Sequence, residues 1–171
     1  MNSENAKAAV EVITAMWEGE FAATCQVLAA VRDENRDYKP DPKSRSAWDL
    51  ATHIATADIW FIDSIINGAF VWDPEKAKAA EGSFTKIADV VSFYKKTFPE
   101  RLQALRALPA NKFTEDIDFF GMMKMPRANF VAMANNHSIH HRGQLAAYLR
   151  AHGAKVPNIY GPSADAEPAR V

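Results

Sequence analysis

The chain contains a single cysteine, Cys25, so neither a disulfide framework nor a cysteine-based zinc finger is available to it. It also lacks an excess of charge. The 20 Lys and Arg residues against 21 Asp and Glu give a formal net charge of −1, which argues against a general electrostatic grip on nucleic acid. No apolar run approaches the roughly 20 residues that a membrane-spanning helix needs. The start, Met1-Asn2-Ser3-Glu4, has neither the basic nor the apolar region of a signal peptide. One cysteine suits a reducing compartment. These absences predict a cytoplasmic protein with no membrane and no nucleic-acid partner. The rest is ordinary for a globular chain: 171 residues, 48% hydrophobic and 24% charged, are enough for one domain with a real core.

Helical periodicity dominates. Val10, Ile13, Trp17, Phe21, Thr24, Leu28 and Val31 recur at steps of three and four, predicting a helix from about 4 to 34. Pro40 and Pro42 break that pattern. Ser46 followed by Asp49 reads as a capping box, opening a second helix that runs to about Asn67 and closes at Gly68. A linker with Pro74 and a Lys/Ala/Glu stretch follows. A third helix is expected from near Ser83 to Leu108, with Pro99 predicting a kink or break inside it. Residues 110–125 read as irregular, with a short extended piece near Ile117 and Phe119 and a turn at Gly121. Pro126 suits the first position of a fourth helix ending at about His152, with Gly153 beyond it. The fold class is therefore all-α, a four-helix bundle. One domain is expected over 1–163, with a polar tail at 164–171 whose end frays.

The chemistry-bearing residues are histidines. His137 and His141 lie four apart, about 40° around a helix axis, so both rings can point at one place. Gln144 and Tyr148 continue their stripe, and Phe130, Met133 and Ala134 extend it toward the N-terminus, which predicts a face turned to the bundle. His140 lies about 60° from His137 on the other side and is the weaker candidate. On the second helix, Ser46, Asp49, Leu50, His53, Ala57, Trp60 and Ser64 share a face, which brings His53 to the core side. Unpaired buried imidazoles are costly, so inward histidines need partners. A divalent metal is one answer, and hydrogen bonds to one another, to serines or to water are the other. Three imidazoles would leave a coordination position open, the mark of a reactive site.

What the motif omits narrows the chemistry. Ser138 stands where H-E-x-x-H proteases carry their glutamate base. Paired E-x-x-H segments are absent, which excludes a ferritin-like di-iron centre. Asp49 is either a carboxylate that orients His53 or an acid serving the helix start. Cys25 reads as a small core residue. Trp17, Trp48, Trp60 and Trp72 read as core or interface, with Trp60 placed to wall an apolar substrate pocket.

At four places the chain resembles the DinB-like (DinB/YfiT-like) family of metalloenzymes. These are Ser46-Ala47-Trp48-Asp49-Leu50-Ala51-Thr52-His53-Ile54-Ala55, like the family's S-x-x-E-L-x-x-H-I/L segment; His137, His141, Arg142, Gly143 and Gln144, an H-x3-H-R-G-Q motif; Tyr148-Leu149-Arg150 with Gly153-Ala154-Lys155-Val156-Pro157; and Tyr160-Gly161-Pro162-Ser163. The likeness covers about residues 5–163, with Asp49 standing where Glu is usual. It implies a four-helix bundle with an up-down-down-up arrangement. It also implies metal ligation by His53, His137 and His141, the Arg-Gly-Gln register selecting His141 over His140. The family is similar to bacterial thiol-dependent transferases and isomerases. The resemblance thus implies a metal-dependent thiol S-transferase or hydrolase-like enzyme, with a divalent transition metal (Zn, Ni or Fe), a small-molecule substrate, a low-molecular-weight thiol and a homodimeric assembly. The competing readings are a non-catalytic metal- or ligand-binding stress protein and a plain dimerisation bundle without metal. Loops 68–82 and 110–125 are expected to border the site or cover the bundle ends. Metal affinity is expected to fall below about pH 6, where ordinary imidazoles protonate.

Overall fold

The structure is a computed structural model that describes residues 1–166. Four long helices build the bundle: α1 (Ser3–Ala29), α2 (Ala47–Asn67), α4 (Ile87–Arg106) and α5 (Arg127–Ala151). A short helix, α3 (Pro74–Gly82), joins α2 to α4. A two-stranded antiparallel hairpin, β1 (Asp116–Phe119) and β2 (Met123–Pro126), leads into α5. Among the described residues no helix is long and apolar enough to cross a membrane.

The core follows the apolar stripes. Val10, Trp17 and Leu28 from α1 meet Leu50, Ile54, Ile62 and Ile65 from α2, Tyr94, Phe98 and Leu102 from α4, and Phe130, Leu145 and Leu149 from α5. Phe21 stacks on Phe98 with ring centroids 5.5 Å apart, and Trp17 meets the same ring edge-on at 5.4 Å.

Several boundaries differ from the sequence-based expectation. α1 ends at Ala29 because the charged stretch from Arg32 to Asp37 offers no apolar side to bury. A 3₁₀ turn at Asp33–Asn35 replaces the last turn, and Asp33 Oδ1 instead accepts the N–H of Ile87 at 2.8 Å, capping α4. α4 starts at Ile87, four residues late, because Asp89 accepts from the backbone and hydroxyl of Thr85 and holds that segment as a helix entry. The supposed linker contains α3. Asp73 caps it by accepting from the N–H groups of Glu75 and Lys76, and Pro74 opens it, yet it buries no side chain. Pro99 does not interrupt α4, because it lies on the exposed face where water can satisfy the carbonyl left without a donor. The extended piece near Ile117 is one arm of the hairpin, turned by Phe120 and Gly121, both at positive φ. Pro126 caps α5 instead of opening it, since it is still paired with Asp116 in the hairpin.

Two features fix the ends of α2 and α5. Gly68 closes α2 in the left-handed region with φ 76°. Buried Arg127 donates from Nη1 to the carbonyls of Ile65 and Ile66, each at 2.9 Å, and from Nη2 to Glu115 at 2.6 Å. At the other end, Gly153 (φ 76°) ends α5, and Asp165 is tied back by Arg150 and by the N–H of Val156. The boundary expected at 163 thus falls just before residues 164–166, where Asp165 makes these contacts. The expected fraying of the tail's end concerns residues 167–171, which lie outside the described ones.

Candidate metal centre

α2 and α5 pack so that His53 meets the His137/His141 pair. The ring centroids of His53 and His137 are 5.1 Å apart, those of His53 and His141 4.8 Å, and those of His137 and His141 4.4 Å. One nitrogen from each ring can be chosen so that all three lie within 4.8 Å of one another, a group that could hold a metal ion. The Nε2 atoms of His53 and His137 are 3.2 Å apart. Two ligands on a tetrahedral ion at about 2.0–2.1 Å would stand roughly 3.3 Å apart. The donor set is thus nitrogen-only, and the His53–His137 pair is spaced as a small divalent transition ion requires.

The rings occupy the rim of the helix interface, not its centre. All three are half-buried. The centre of the α5 interface is made by Ala134, Ser138, Leu145, Arg142 and Leu149, one residue round from the histidine stripe. The expectation that His137 and His141 lie on the core face is therefore corrected by about one residue of rotation. Partial burial still governs their protonation. It pushes His53 down to about 3, with the Arg45 guanidinium and the other two rings adding to the effect. It pushes His137 down to about 4, with His141, His140 and Arg45 contributing. His141 is also lowered by burial, against the hydrogen bond to Gln144, which favours its proton. His53 and His137 therefore stay neutral well below pH 6, and proton competition with a metal starts at lower pH than ordinary imidazoles would give.

Gln144 supplies the orienting contact. Its Oε1 lies 2.7 Å from His141 Nδ1. An amide oxygen only accepts, so Nδ1 carries the hydrogen and Nε2 keeps its lone pair for a ligand. Asp49 does not perform this service for His53. It accepts the Ser46 N–H at 3.1 Å and completes the capping box. His140 is exposed, and neither it nor His152 joins the cluster; His152 instead lies against Tyr38 and Asn35.

One side of the triad is aromatic. The Phe61 ring is 5.1 Å from His137, and Phe70 and Phe119 pack on Phe61. Trp60 joins them, donating its Nε1–H to the Val71 carbonyl and stacking parallel to Phe120 at 6.3 Å. The loops after α2 and before α5 thus reach Phe61, the ring beside His137, through Phe70 and Phe119. Concavities of the surface lie near Lys155–Ala166 and beside α3, away from the triad.

Sequence reasoning missed a polar network immediately behind the histidines. Asp58 is fully buried, and its Oδ2 accepts from Tyr94 at 2.8 Å and from Ser138 at 2.9 Å. Its Oδ1 has no partner, and burial pushes the carboxyl up to about 7 against those two hydrogen bonds. Arg142, also buried, pairs with Glu20 at 2.5 Å and donates to the Tyr160 hydroxyl at 2.8 Å. The signal was present: Asp58 falls on the apolar stripe of Ile54, Phe61, Ile62 and Ile65, and Arg142 on that of Ala134, Leu145 and Leu149. Cys25 is buried, which raises its thiol pKa and leaves it an inert core residue.

The DinB family model matches residues 1–169. The chain belongs to the DinB family. It is 30% identical to the YrdA protein of Bacillus subtilis over 148 residues, covering 86% of this chain and 85% of that one. A DinB-like protein from Bacillus cereus superposes with a TM-score of 0.71 at 27% identity, covering 88% of this chain and 97% of that one. YfiT from Bacillus subtilis, described as a probable metal-dependent hydrolase with an unusual four-helix bundle topology, superposes at 0.68 with 14% identity, covering 91% of each chain. At that identity the likeness to YfiT speaks for the fold, which is the four-helix bundle of this DinB member.

Proposed function

We propose that this DinB protein is a metal-dependent enzyme in which His53, His137 and His141 hold a divalent transition metal, with Zn, Ni or Fe the best candidates. The observation that carries the reading is the convergence of three neutral imidazoles whose facing nitrogens have no carboxylate, hydroxyl or backbone partner. When bound, such an ion keeps a coordination position open and lowers the pKa of a thiol or water there to near neutrality. The protein's own part is positioning. Gln144 holds His141 in the tautomer that presents Nε2. Partial burial keeps the rings unprotonated, and Phe61 closes the side toward the hairpin.

The preferred reaction is thiol S-transfer, with a low-molecular-weight thiol and a small electrophilic substrate. The description of YfiT as a probable metal-dependent hydrolase supports a hydrolytic variant, in which water takes the thiol's place. A second reading, a non-catalytic metal- or ligand-binding stress protein, draws support from the shortage of a free general base. Asp49 is engaged in the cap, Gln144 in orienting His141, and Asp58 in its buried network. The deciding experiment is metal analysis of untagged protein followed by a screen of thiols against chromogenic electrophiles and of esters and amides. Turnover lost on chelation supports the enzyme; stoichiometric metal with no turnover favours the binding protein; absence of metal rejects the enzyme and leaves only the ligand-binding form of the second reading.

The up-down-down-up arrangement is supported by the order of contacts. Glu20 meets Arg142 and Arg32 meets Gly153, so α1 and α5 advance together; Asp58 meets Tyr94 and Asp63 meets Arg101, so α2 and α4 do. A cytoplasmic homodimer completes the reading. A light-scattering mass near the 19.0 kDa of one chain would reject the dimer.

A further inference from the structure

The open face of α2 carries more than a histidine. Between Leu50 and Ile65 only His53, Thr56, Trp60 and Asp63 are not buried. His53 and Trp60 lie seven residues apart, about 20° around the helix and roughly 10 Å along it, with the short Thr56 between them. The matching half-buried stripe of α5 holds Met133, His137 and His141. Ring contacts tie Trp60 to that helix. Trp60 lies 5.0 Å from Phe61, which lies 5.1 Å from His137. Trp60 also lies 5.3 Å from Phe70, which lies 4.8 Å from Phe130 of α5. The face shared by α2 and α5 therefore has histidines at one end and an indole at the other.

The indole has an unusual setting. Its one polar atom is used, since Nε1–H donates to the Val71 carbonyl at 2.9 Å, and what remains is an apolar ring held in place. Phe120 lies parallel to it within 2°, at a centroid distance of 6.3 Å, and Trp72 stands edge-on at 5.9 Å. Phe120 is 47% exposed and Trp72 57%, so burial in the core explains neither. The turn does not explain Phe120 either. Phe120 and Gly121 have φ of 56° and 72°, and two successive positive φ values in a hairpin turn favour Asn, Asp or Gly. Among the described residues Phe120 is the only non-glycine at positive φ. A large ring kept outside the core, on a backbone that disfavours it, calls for a use of the ring itself.

We propose that Trp60, Phe120 and Trp72 form the specificity subsite of the three-histidine centre, and that its substrate carries a flat apolar group, such as an aromatic ring. That group would lie roughly 10 Å from the atom that meets the metal, the axial spacing of His53 and Trp60. This rests on the metal-site reading above. A flat group parallel to Trp60 is also parallel to Phe120, so it stacks without either ring turning. The three rings bind and orient, and take no part in making or breaking bonds. The occupant is the tail of the substrate because the patch is joined to the triad ring by ring, from Trp60 through Phe61 to His137. A contact between two copies of the chain would need no such continuity.

The test uses the full-length protein loaded with Co(II) and two alkyl thiols of matched basicity, 4-phenylbutane-1-thiol and butane-1-thiol. Binding is read from the thiolate-to-cobalt absorption band, and the measured quantity is the ratio of the two affinities. The wild type should prefer the phenyl thiol by about tenfold or more, the worth of burying much of one ring. Phe120→Asn installs a residue that the turn favours, so stability to urea should hold or rise while the preference falls by about threefold or more. A Phe120 that only supports the hairpin would do the reverse, losing stability and leaving the ratio alone. Trp60→Leu should also lower the ratio, and it decides the matter if Phe120→Asn does not fold. A wild-type ratio below about twofold, or a ratio unchanged within twofold in either folded variant, overturns the inference while leaving the metal site standing. A dimer that becomes a monomer in Phe120→Asn at constant ratio overturns it too, and assigns the patch to a second copy of the chain. A wild-type protein that takes up no cobalt overturns the metal reading and this inference with it.

Discussion

His137 and Ser138 are neighbours on α5, as are His141 and Arg142, yet the two pairs meet opposite fates. The inner pair finishes its bonding within the protein: Ser138 donates to Asp58, and Arg142 pairs with Glu20 and Tyr160. The outer pair points ring nitrogens at His53 and at each other. Each pair is spaced four residues apart, and about 100° of helix rotation separates the two. Depth of burial does not distinguish a site from a scaffold here, because the deeper groups are the better satisfied ones. Convergence of like donors with no complementary partner does.

The largest effect should come from the outer pair. Changing His53, His137 or His141 to Ala should reduce bound metal from about one per chain to under a tenth, by elemental analysis after dialysis, because two imidazoles hold a divalent ion poorly. His140→Ala and His152→Ala should retain it. If His140→Ala strips the metal and His141→Ala does not, the site is built on the wrong register.

Next comes the inner pair. Arg142→Met should cost about 3–5 kcal/mol in urea unfolding at pH 7, since it leaves Glu20 without its buried partner. Metal per folded chain should not change. A variant that keeps its stability and loses its metal would join the inner pair to the site and dissolve the distinction.

Titration should separate the two regions by sign. His53 and His137 are held at about 3 and about 4, below the ordinary imidazole value of about 6.5. The unfolded chain therefore binds more protons as pH falls. Their contribution to metal-free stability is complete above about pH 6.5 and is lost as pH drops through 4 toward 3. Asp58 runs the other way: raised from 3.8 to about 7, its contribution is complete below its unfolded value and lost as pH rises through 7. Unfolding midpoints between pH 4 and 8 should show His53→Gln/His137→Gln flattening the acid limb and Asp58→Asn the neutral one. The smallest effect is Ser138→Ala, about 1 kcal/mol for one neutral hydrogen bond, with metal retained. A loss of metal in that variant would show that the serine tunes His137.

The legible parts of the fold were those with long-range periodicity. The stripes of α1, α2, α4 and α5 and the stop signals at Gly68 and Gly153 were readable because each repeats or punctuates a local rule. α3 was hidden because it buries nothing, so its helical state rests on the Asp73 cap and on Pro74 alone. The hairpin was seen as only one arm because Met123–Pro126 buries no side chain fully. The three histidines were readable as a set from spacing and resemblance. That they sit on the rim was not, since a helix stripe drawn from sequence is uncertain by about one residue of rotation. Asp58 and Arg142 went unnoticed because charge on an apolar stripe draws attention only when a partner on another helix is known.

Arg127 grips the two carbonyls near the end of α2 and thereby sets how far α5 starts along it. Gly68 makes room for that grip: a methyl group there would collide with the guanidinium. The pair works as an alignment pin between two rods. Sliding one rod by a single turn, about 5.4 Å, would carry His137 and His141 out of reach of His53. A glycine about four turns away from His53 is thus part of the metal site's geometry, and an alanine at that position would detune the centre without touching any of its ligands.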